Sequence, residues 1–298
     1  MTTELSRGTL FDPTLVTDLI NKVKGKSSLA KLSDEKPIPF NGTKEFTFTM
    51  DSDIDVVAEN GKKTHGGVSL EPVTIVPIKF EYGARISDEF LYASDEAKID
   101  ILKAFNEGFA KKVARGLDIA AFHGLNPRTS TASAVIGNNH FDKAVTQTVN
   151  YVKANVDDNV EAAIAMVEGS DGDVTGMVLS PAVRQALAAL KNSANERLYP
   201  ELAWGGAPGT INGLAVDVNK TVAVGNIDEI ILGDFANAFK WGYAKEIPLE
   251  IIKYGDPDNS GKDLKGYNQI YIRAEVYLGW GILDANSFAR VITPVSGE

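Results

Sequence analysis

One stretch narrows the fold more than any other: residues 45–86, a long excursion of β character. Glu45-Phe46-Thr47-Phe48-Thr49-Met50 alternates polar and apolar positions, the pattern of a half-buried strand. Val73-Thr74-Ile75-Val76-Pro77-Ile78-Lys79-Phe80 predicts a second strand. Between them, Asp51 to Pro72 is polar and turn-rich, with Asn60-Gly61 and Gly66-Gly67. Strands joined this way form a hairpin that projects from whatever core anchors it. A lone two-stranded hairpin is only marginally stable in water. The feature therefore implies a partner surface, and another copy of the chain is the expected one.

From Ser94 the apolar period changes to that of a helix. Ile99, Leu102, Phe105, Phe109, Val113, Leu117 and Ala120 recur at three and four residues and form one stripe. Ser94 is the expected cap, Asp95 and Glu96 suit the positive end of the dipole, and Gly124 is the stop. Such a helix is roughly 40 Å long, a spine across a domain. Gly108 and Gly116 inside it each cost about 1 kcal/mol against Ala, which close packing would explain.

Downstream, a Ser-, Thr- and Asn-rich loop covers residues 126–149, and an α/β stretch follows. Asp157 is the expected cap of a helix that ends at Gly169. Val174 to Leu179 reads as a buried strand, and Ser180-Pro181 opens a second helix with a cap and a first-turn proline. Leu198 to Gly213 is a glycine-rich connection around Trp204. Short strands are expected at 214–218, 229–232, 239–243 and 249–253, then a long one over 267–281 and a last one at 288–292. At the other end, residues 1–45 read as an arm. Pro13 to Val23 can form a short amphipathic helix behind Asp12, and Lys22, Lys24, Lys26 and Lys31 make a basic cluster.

The 298 residues allow one large domain or two medium ones, of class α+β. No run approaches the roughly 18 apolar residues of a membrane helix. The first residues do not read as a targeting signal, so a soluble protein made in the cytosol is expected. With no cysteine, disulfides and thiolate chemistry are excluded. A net charge of -10 argues against a surface that coats nucleic acid.

Motifs for chemistry are weak throughout. His65, His123 and His140 are dispersed, without the spacing that puts two ligands on one helix face, and read as ordinary surface or core residues. Gly25-Lys26-Ser27 imitates the end of a phosphate loop, but Ile20 stands where its first glycine is needed. Asp256-Pro257-Asp258-Asn259-Ser260-Gly261 opens like a calcium loop. Tyr267 replaces its closing glutamate, so a hairpin turn is the better reading. On a strand, Asp51, Asp53 and Asp55 would point one way, as a divalent-ion site or as a solvated acidic strand end. No catalytic, cofactor-binding or metal residue is assigned.

Several stretches, in order, carry a resemblance. Glu71 to Lys79 running into Ile86-Ser87-Asp88-Glu89-Phe90-Leu91 is one; Ala114-Arg115-Gly116-Leu117-Asp118 through Gly124 is another. Leu179-Ser180-Pro181 followed by Gly209 to Val218, Ile231-Leu232-Gly233-Asp234-Phe235, and Arg273-Ala274-Glu275 through Ile282 to Phe288 complete the set. Taken in order over nearly the whole chain, they resemble the major capsid proteins of tailed bacteriophages, the Hong Kong 97 phage fold.

The resemblance implies an N-terminal arm (1–45), an extended E-loop hairpin (46–83), a peripheral domain with the spine helix (84–150), an axial α/β domain (151–266) and C-terminal strands (267–298) that return to the peripheral domain. It implies hexamers and pentamers in an icosahedral shell around double-stranded DNA held without sequence-specific contacts. A portal, a separate scaffolding protein or none (since Met1 stands directly before the arm) and, optionally, a decoration protein are the partners it suggests. The location it implies is the virion, after synthesis in the host bacterial cytoplasm. Lys62 and Lys63, at the hairpin tip, are either crosslink donors of the kind some members use or plain exposed lysines. Two rivals stay open: an encapsulin-type shell around a cargo enzyme, and a hydrolase with an unrecognised carboxylate site.

Overall fold

The computed structural model describes residues 26–50, 52–93, 95–225, 227–245 and 249–294. The expected helix at Pro13 to Val23, with Lys22 and Lys24, lies outside these residues, as do the Ser94 cap and Asp51. The fold is mixed α+β. In chain order the strands are β1 Thr43–Met50, β2 Val68–Ile75, β3 Ile78–Ser87, β4 Thr148–Asn150, β5 Gly176–Leu179, β6 Thr210–Ile211, β7 Leu214–Val218, β8 Asp228–Gly233, β9 Phe239–Lys245, β10 Leu249–Ile252, β11 Gln269–Ile282 and β12 Phe288–Ile292. The helices are α1 Ser28–Leu32, α2 Asp95–His123, α3 Phe141–Ala144, α4 Val156–Glu168 and α5 Pro181–Ala189. No described helix is long and apolar enough to cross a membrane.

A six-stranded sheet in the order β4-β12-β8-β5-β7-β6 forms the middle layer of the core. Side chains alternate across a strand, and here both faces are covered. Val178, Ile231 and Phe288 pack with α2 residues Phe109, Leu117, Ala121 and Phe122. Met177, Leu179, Ile230, Leu232 and Val291 pack on the other side with Val156, Ala163 and Val167 of α4 and Val183 and Leu187 of α5. Burial on both faces is why β5 reads as an unbroken apolar run and not as an alternating one. Phe141 seals the α2 side, edge-on to Phe288 at 5.0 Å and to Phe122 at 5.7 Å.

The second sheet is organised by β11. One edge takes β3 antiparallel, from Gln269 opposite Ser87 to Leu278 opposite Ile78. The other edge takes β10 and then β9. A third, two-stranded sheet is the expected hairpin: β1 and β2 pair antiparallel from Thr43 opposite Ile75 to Met50 opposite Val68.

Five expectations need correction. The single strand expected over 73–80 is broken at Val76-Pro77; its first half belongs to the hairpin and its second half to β3. Proline has no N–H to donate, so the chain changes sheets there. Asp53 and Asp55 lie beyond the end of β1 and share no strand face. Asp157 is not the cap of α4. Asn155 holds that position, and Asp157 and Asp158 sit in the first turn, where the dipole favours them. The loop expected over 126–149 contains α3 and β4. The described part of the expected arm is not loose: Ser27, Ser28, Leu29 and Ala30 are fully buried, and α1 packs on α2, β5 and β7. The close-packing account of the α2 glycines holds for one of the pair. A Cβ on Gly116 would lie 3.3 Å from the Phe80 ring, whereas nothing lies within 4 Å of one on Gly108.

Candidate assembly surfaces and the charged nodes behind them

The hairpin divides into a held base and an open end. At the base, Ile75 is fully buried over β11, where a Cβ on Gly281 would stand 2.7 Å from it and one on Gly279 3.1 Å. Only glycine permits that approach. The Thr47 hydroxyl donates to the Leu283 carbonyl at 2.9 Å, and Lys240 ion-pairs with Glu45. That hydrogen bond from Lys240 outweighs burial and holds the Glu45 carboxyl below its ordinary value. Beyond the base, every residue from 52 to 70 is exposed. Ile54 is 91% and Val56 99% exposed; Val68 and Leu70 on β2 and Phe46 and Met50 on β1 are open as well. Contiguous exposed apolar side chains at one end of a protein mark an interaction surface. Lys62, Lys63 and His65 share this end and are exposed. Asp55 accepts a hydrogen bond from Thr64.

A second open feature lies at the far side of the six-stranded sheet, where a short 3-10 turn covers Pro200–Gly205. It carries Trp204, which is fully exposed and has φ +57°. A bulky residue in the left-handed region is strained, and this one makes no compensating burial within the chain.

Behind these surfaces lie two buried polar nodes. In the first, the Asp118 carboxylate accepts from the Ser27 hydroxyl at 2.5 Å, the Ser28 and Leu29 N–H groups at 3.1 and 3.3 Å, Asn219 Nδ2 at 3.1 Å and the Thr221 hydroxyl at 3.1 Å. Burial pushes this carboxyl up to about 6 against the pull of those donors. Beside it, Asp217 takes the Ser28 hydroxyl and Lys31 Nζ, each at 2.6 Å. The Lys-Ser-Ser stretch that imitates a phosphate loop is thus a plug that ties α1 to α2 and β7.

The second node joins residues far apart in the chain. Arg290 on β12 donates to Asp228 at 2.8 and 3.0 Å, lies 3.0 Å from Asp142, and donates to the Asp142 carbonyl at 3.0 Å. His123 donates through Nε2 to the Thr221 carbonyl at 2.9 Å, so its Nδ1 faces Asp142 at 2.9 Å. Burial, then the neighbouring Asp142, lift the Asp228 carboxyl to about 8. Burial also works on Asp142, but hydrogen bonds from His123 and Asp228 and the charge of Arg290 hold it below its ordinary value. Two carboxyls side by side share a proton more readily than they share two negative charges.

His123, Asp142 and Asp228 present ligand atoms within 4.8 Å of one another, close enough for a cation. The guanidinium of Arg290 already supplies the positive charge there. Pattern reading missed this grouping because the residues sit on α2, α3, β8 and β12, and no local spacing marks them. His140 stands next to the node, packed against Gly124, and burial lowers its pKa. Likewise, the calcium-like loop at Asp256 is closed by Arg85, which reaches Asp256 at 2.6 Å and Asp258 at 2.5 Å, while Ser260 and Gly261 N–H groups bind Asp256. The loop connects β10 to β11, in line with the hairpin-turn reading.

The nodes hold the fold together, and the open surfaces face outward. Comparison with known proteins agrees with that division. A phage capsid family model matches residues 7–291. A solved structure from Mycobacterium phage Ogopogo is 30% identical over 90% of this chain and 92% of its own, with a TM-score of 0.77. One from Gordonia phage Cozz is 23% identical over 91% and 87%, with a TM-score of 0.75. The capsid of a native GTA particle shares the fold at 13% identity and a TM-score of 0.62, over 99% and 95% of the two chains. The search of curated proteins returned no match. The molecule is a structural component of a virion capsid, a multi-subunit shell, and not an enzyme; the chain belongs to the phage capsid family.

Proposed function

We propose that this protein is the major capsid protein of a tailed phage, assembling as hexamers and pentamers into an icosahedral head around double-stranded DNA. The observation that carries the reading is the hairpin: a rigid base welded to β11 and a distal end, residues 52–70, that is exposed throughout. Apolar side chains held out on such a lever are stabilised only when a neighbouring copy covers them. In this reading the hairpin is the E-loop, laid across an adjacent subunit. The α2 and β11 region forms the peripheral part, and the six-stranded sheet with α4 and α5 forms the axial part. Many weak contacts per subunit add up in a closed shell. A net charge of -10 keeps the enclosed genome from being gripped. A portal, with or without a separate scaffolding protein and a decoration protein, completes the particle, whose subunits are synthesised in the host bacterial cytoplasm.

Negative-stain microscopy of the expressed chain, with and without its scaffold, tests the reading. Closed shells of uniform diameter are expected. A chain that stays monomeric under both conditions overturns it, and shells loaded with a host enzyme instead of DNA point to a nanocompartment.

A further inference from the structure

The six-stranded sheet carries a helix layer whose two sides differ in charge. From Ala154 to Val183 the chain has six carboxylates and no Lys, Arg or His. Among them, Asp158, Glu161 and Glu168 are exposed on α4, beside the exposed Ala162, Ala165 and Met166. Past α5 the sign reverses. A surface pocket between α5 and the 200–205 turn is lined by Arg184, Lys191 and Arg197, with Trp204 at its rim and no carboxylate among its lining residues. Each cation is held by a neutral acceptor: Arg184 by the Leu202 carbonyl at 3.0 Å, Lys191 by Asn195 at 2.8 Å, Arg197 by the Ala188 carbonyl at 2.7 Å. Among the described residues, none of the three forms an ion pair, and neither does any carboxylate of α4.

α4 and α5 lie side by side on one face of the sheet, and the two surfaces belong to different helices of that layer. β4, β5 and β7 run parallel, so β4-α4-β5 and β5-α5-β7 are successive crossovers of one hand that step across the sheet in one direction. α4 packs on β4, β12 and β8, whereas α5 packs chiefly against the 200–205 turn, with smaller contacts to α4 and β8. Within one copy, among the described residues, no ion pair joins the pocket to α4. Two copies related by a rotation can bring the two surfaces together, and a contact between different patches closes into a ring when the rotation closes.

We infer that the Arg184–Lys191–Arg197 pocket receives the acidic face of α4 from the next copy around a capsomer ring, with Trp204 packing on that copy's Ala162–Met166 step. The inference rests on the shell reading above. It gives the strained, fully exposed Trp204 an apolar seat; tryptophan beside arginine is a frequent energetic centre of interfaces, and a methionine against an aromatic ring adds a further contact. The complementary charges select head-to-tail docking and oppose pairing of like sides.

A charge swap on the full chain tests it. Lys191→Glu with Arg197→Glu, or Asp158→Lys with Glu161→Lys, raises the protein concentration for half-assembly by at least about tenfold, with circular dichroism and thermal midpoint unchanged. Combining all four substitutions recovers assembly to within about threefold of the wild type, by mass photometry and microscopy. Doubles that assemble as wild type, or folded doubles that the combination fails to rescue, overturn the seam while the shell reading stands. A wild-type chain that forms no shells overturns both. Should a double fail to fold, the cysteine-free background offers a second readout: a chain carrying Trp204→Cys and Met166→Cys gives a disulfide ladder in oxidised shells. Intact oxidised shells without the ladder overturn the seam.

Discussion

The hairpin and the Arg290 node treat unfavourable groups in opposite ways. The node takes two carboxyl groups, a histidine and a guanidinium out of water and pairs them with one another inside one chain. The distal hairpin leaves Ile54, Val56, Val68 and Leu70 in water. Removing a partner from the node should therefore unfold the monomer. Removing apolar groups from the hairpin should leave the monomer intact and stop the shell. Folding and assembly are carried by separate residues, and that separation can be measured.

The largest effect is expected at the node. Arg290→Leu strands Asp228 and Asp142 without their cation and should cost about 3–5 kcal/mol in urea unfolding; a loss below about 1 kcal/mol would show that the node is not structural.

A smaller effect follows from pH. Asp228 and Asp118 are both raised above the ordinary 3.8, so the folded chain holds protons that the unfolded chain has released. Their stabilising contribution is complete below about pH 4 and is lost as pH rises through about 6 for Asp118 and about 8 for Asp228. Asp142, lowered, acts with the opposite sign: its contribution is present above its unfolded value and is lost on acidification. The free energy of unfolding should fall between about pH 6 and 8 by an amount on the order of 2 kcal/mol, read from urea unfolding at each pH. Asp228→Asn should flatten that fall; an unchanged slope would place the proton elsewhere.

Third in size is the pair of spine glycines. Gly108→Ala should stabilise the monomer by about 1 kcal/mol in a thermal melt. Gly116→Ala should gain less, because the Phe80 ring must move. Equal gains would mean that Phe80 yields freely.

The smallest effect on folding is the most informative about the comparison. Ile54→Ser with Val56→Ser should change monomer stability by no more than about 0.5 kcal/mol, yet abolish shells in the microscope. A folded double variant that still assembles would deny the hairpin its role.

Legibility in the sequence follows the same line. Elements defined by local periodicity were readable: α2 from its three-four stripe, the Ser180-Pro181 start of α5, whose hydroxyl accepts the Val183 N–H, and β12 to the residue. The hairpin was readable as a hairpin, although its end at Val76-Pro77 was set by a change of sheet that alternation does not encode. What stayed hidden is what folding alone brings together. Ser27 meets Asp118, His123 meets Asp228 and Arg290 meets Asp142, across separations of 91, 105 and 148 residues, the second by subtraction of positions. Between Lys26 and Lys31, both exposed, Ser27 to Ala30 are buried; charge is visible in sequence and burial is not.

The glycine contact between β2 and β11 has a consequence in time. β11 is made nearly two hundred residues after β3, at roughly 5–20 residues per second of synthesis, and until it emerges the contacts of Ile75 with Gly279 and Gly281 and of Thr47 with Leu283 cannot form. A growing chain therefore presents its hairpin strands without a fixed aim for tens of seconds, while neighbouring ribosomes make the same strands. Only the completed polypeptide, with Gly279 and Gly281 in place, points the lever outward. Release from the ribosome is in this sense the trigger that makes a subunit competent to join a shell, and a nascent chain arrested before Gln269 should fail to enter particles formed by its finished siblings.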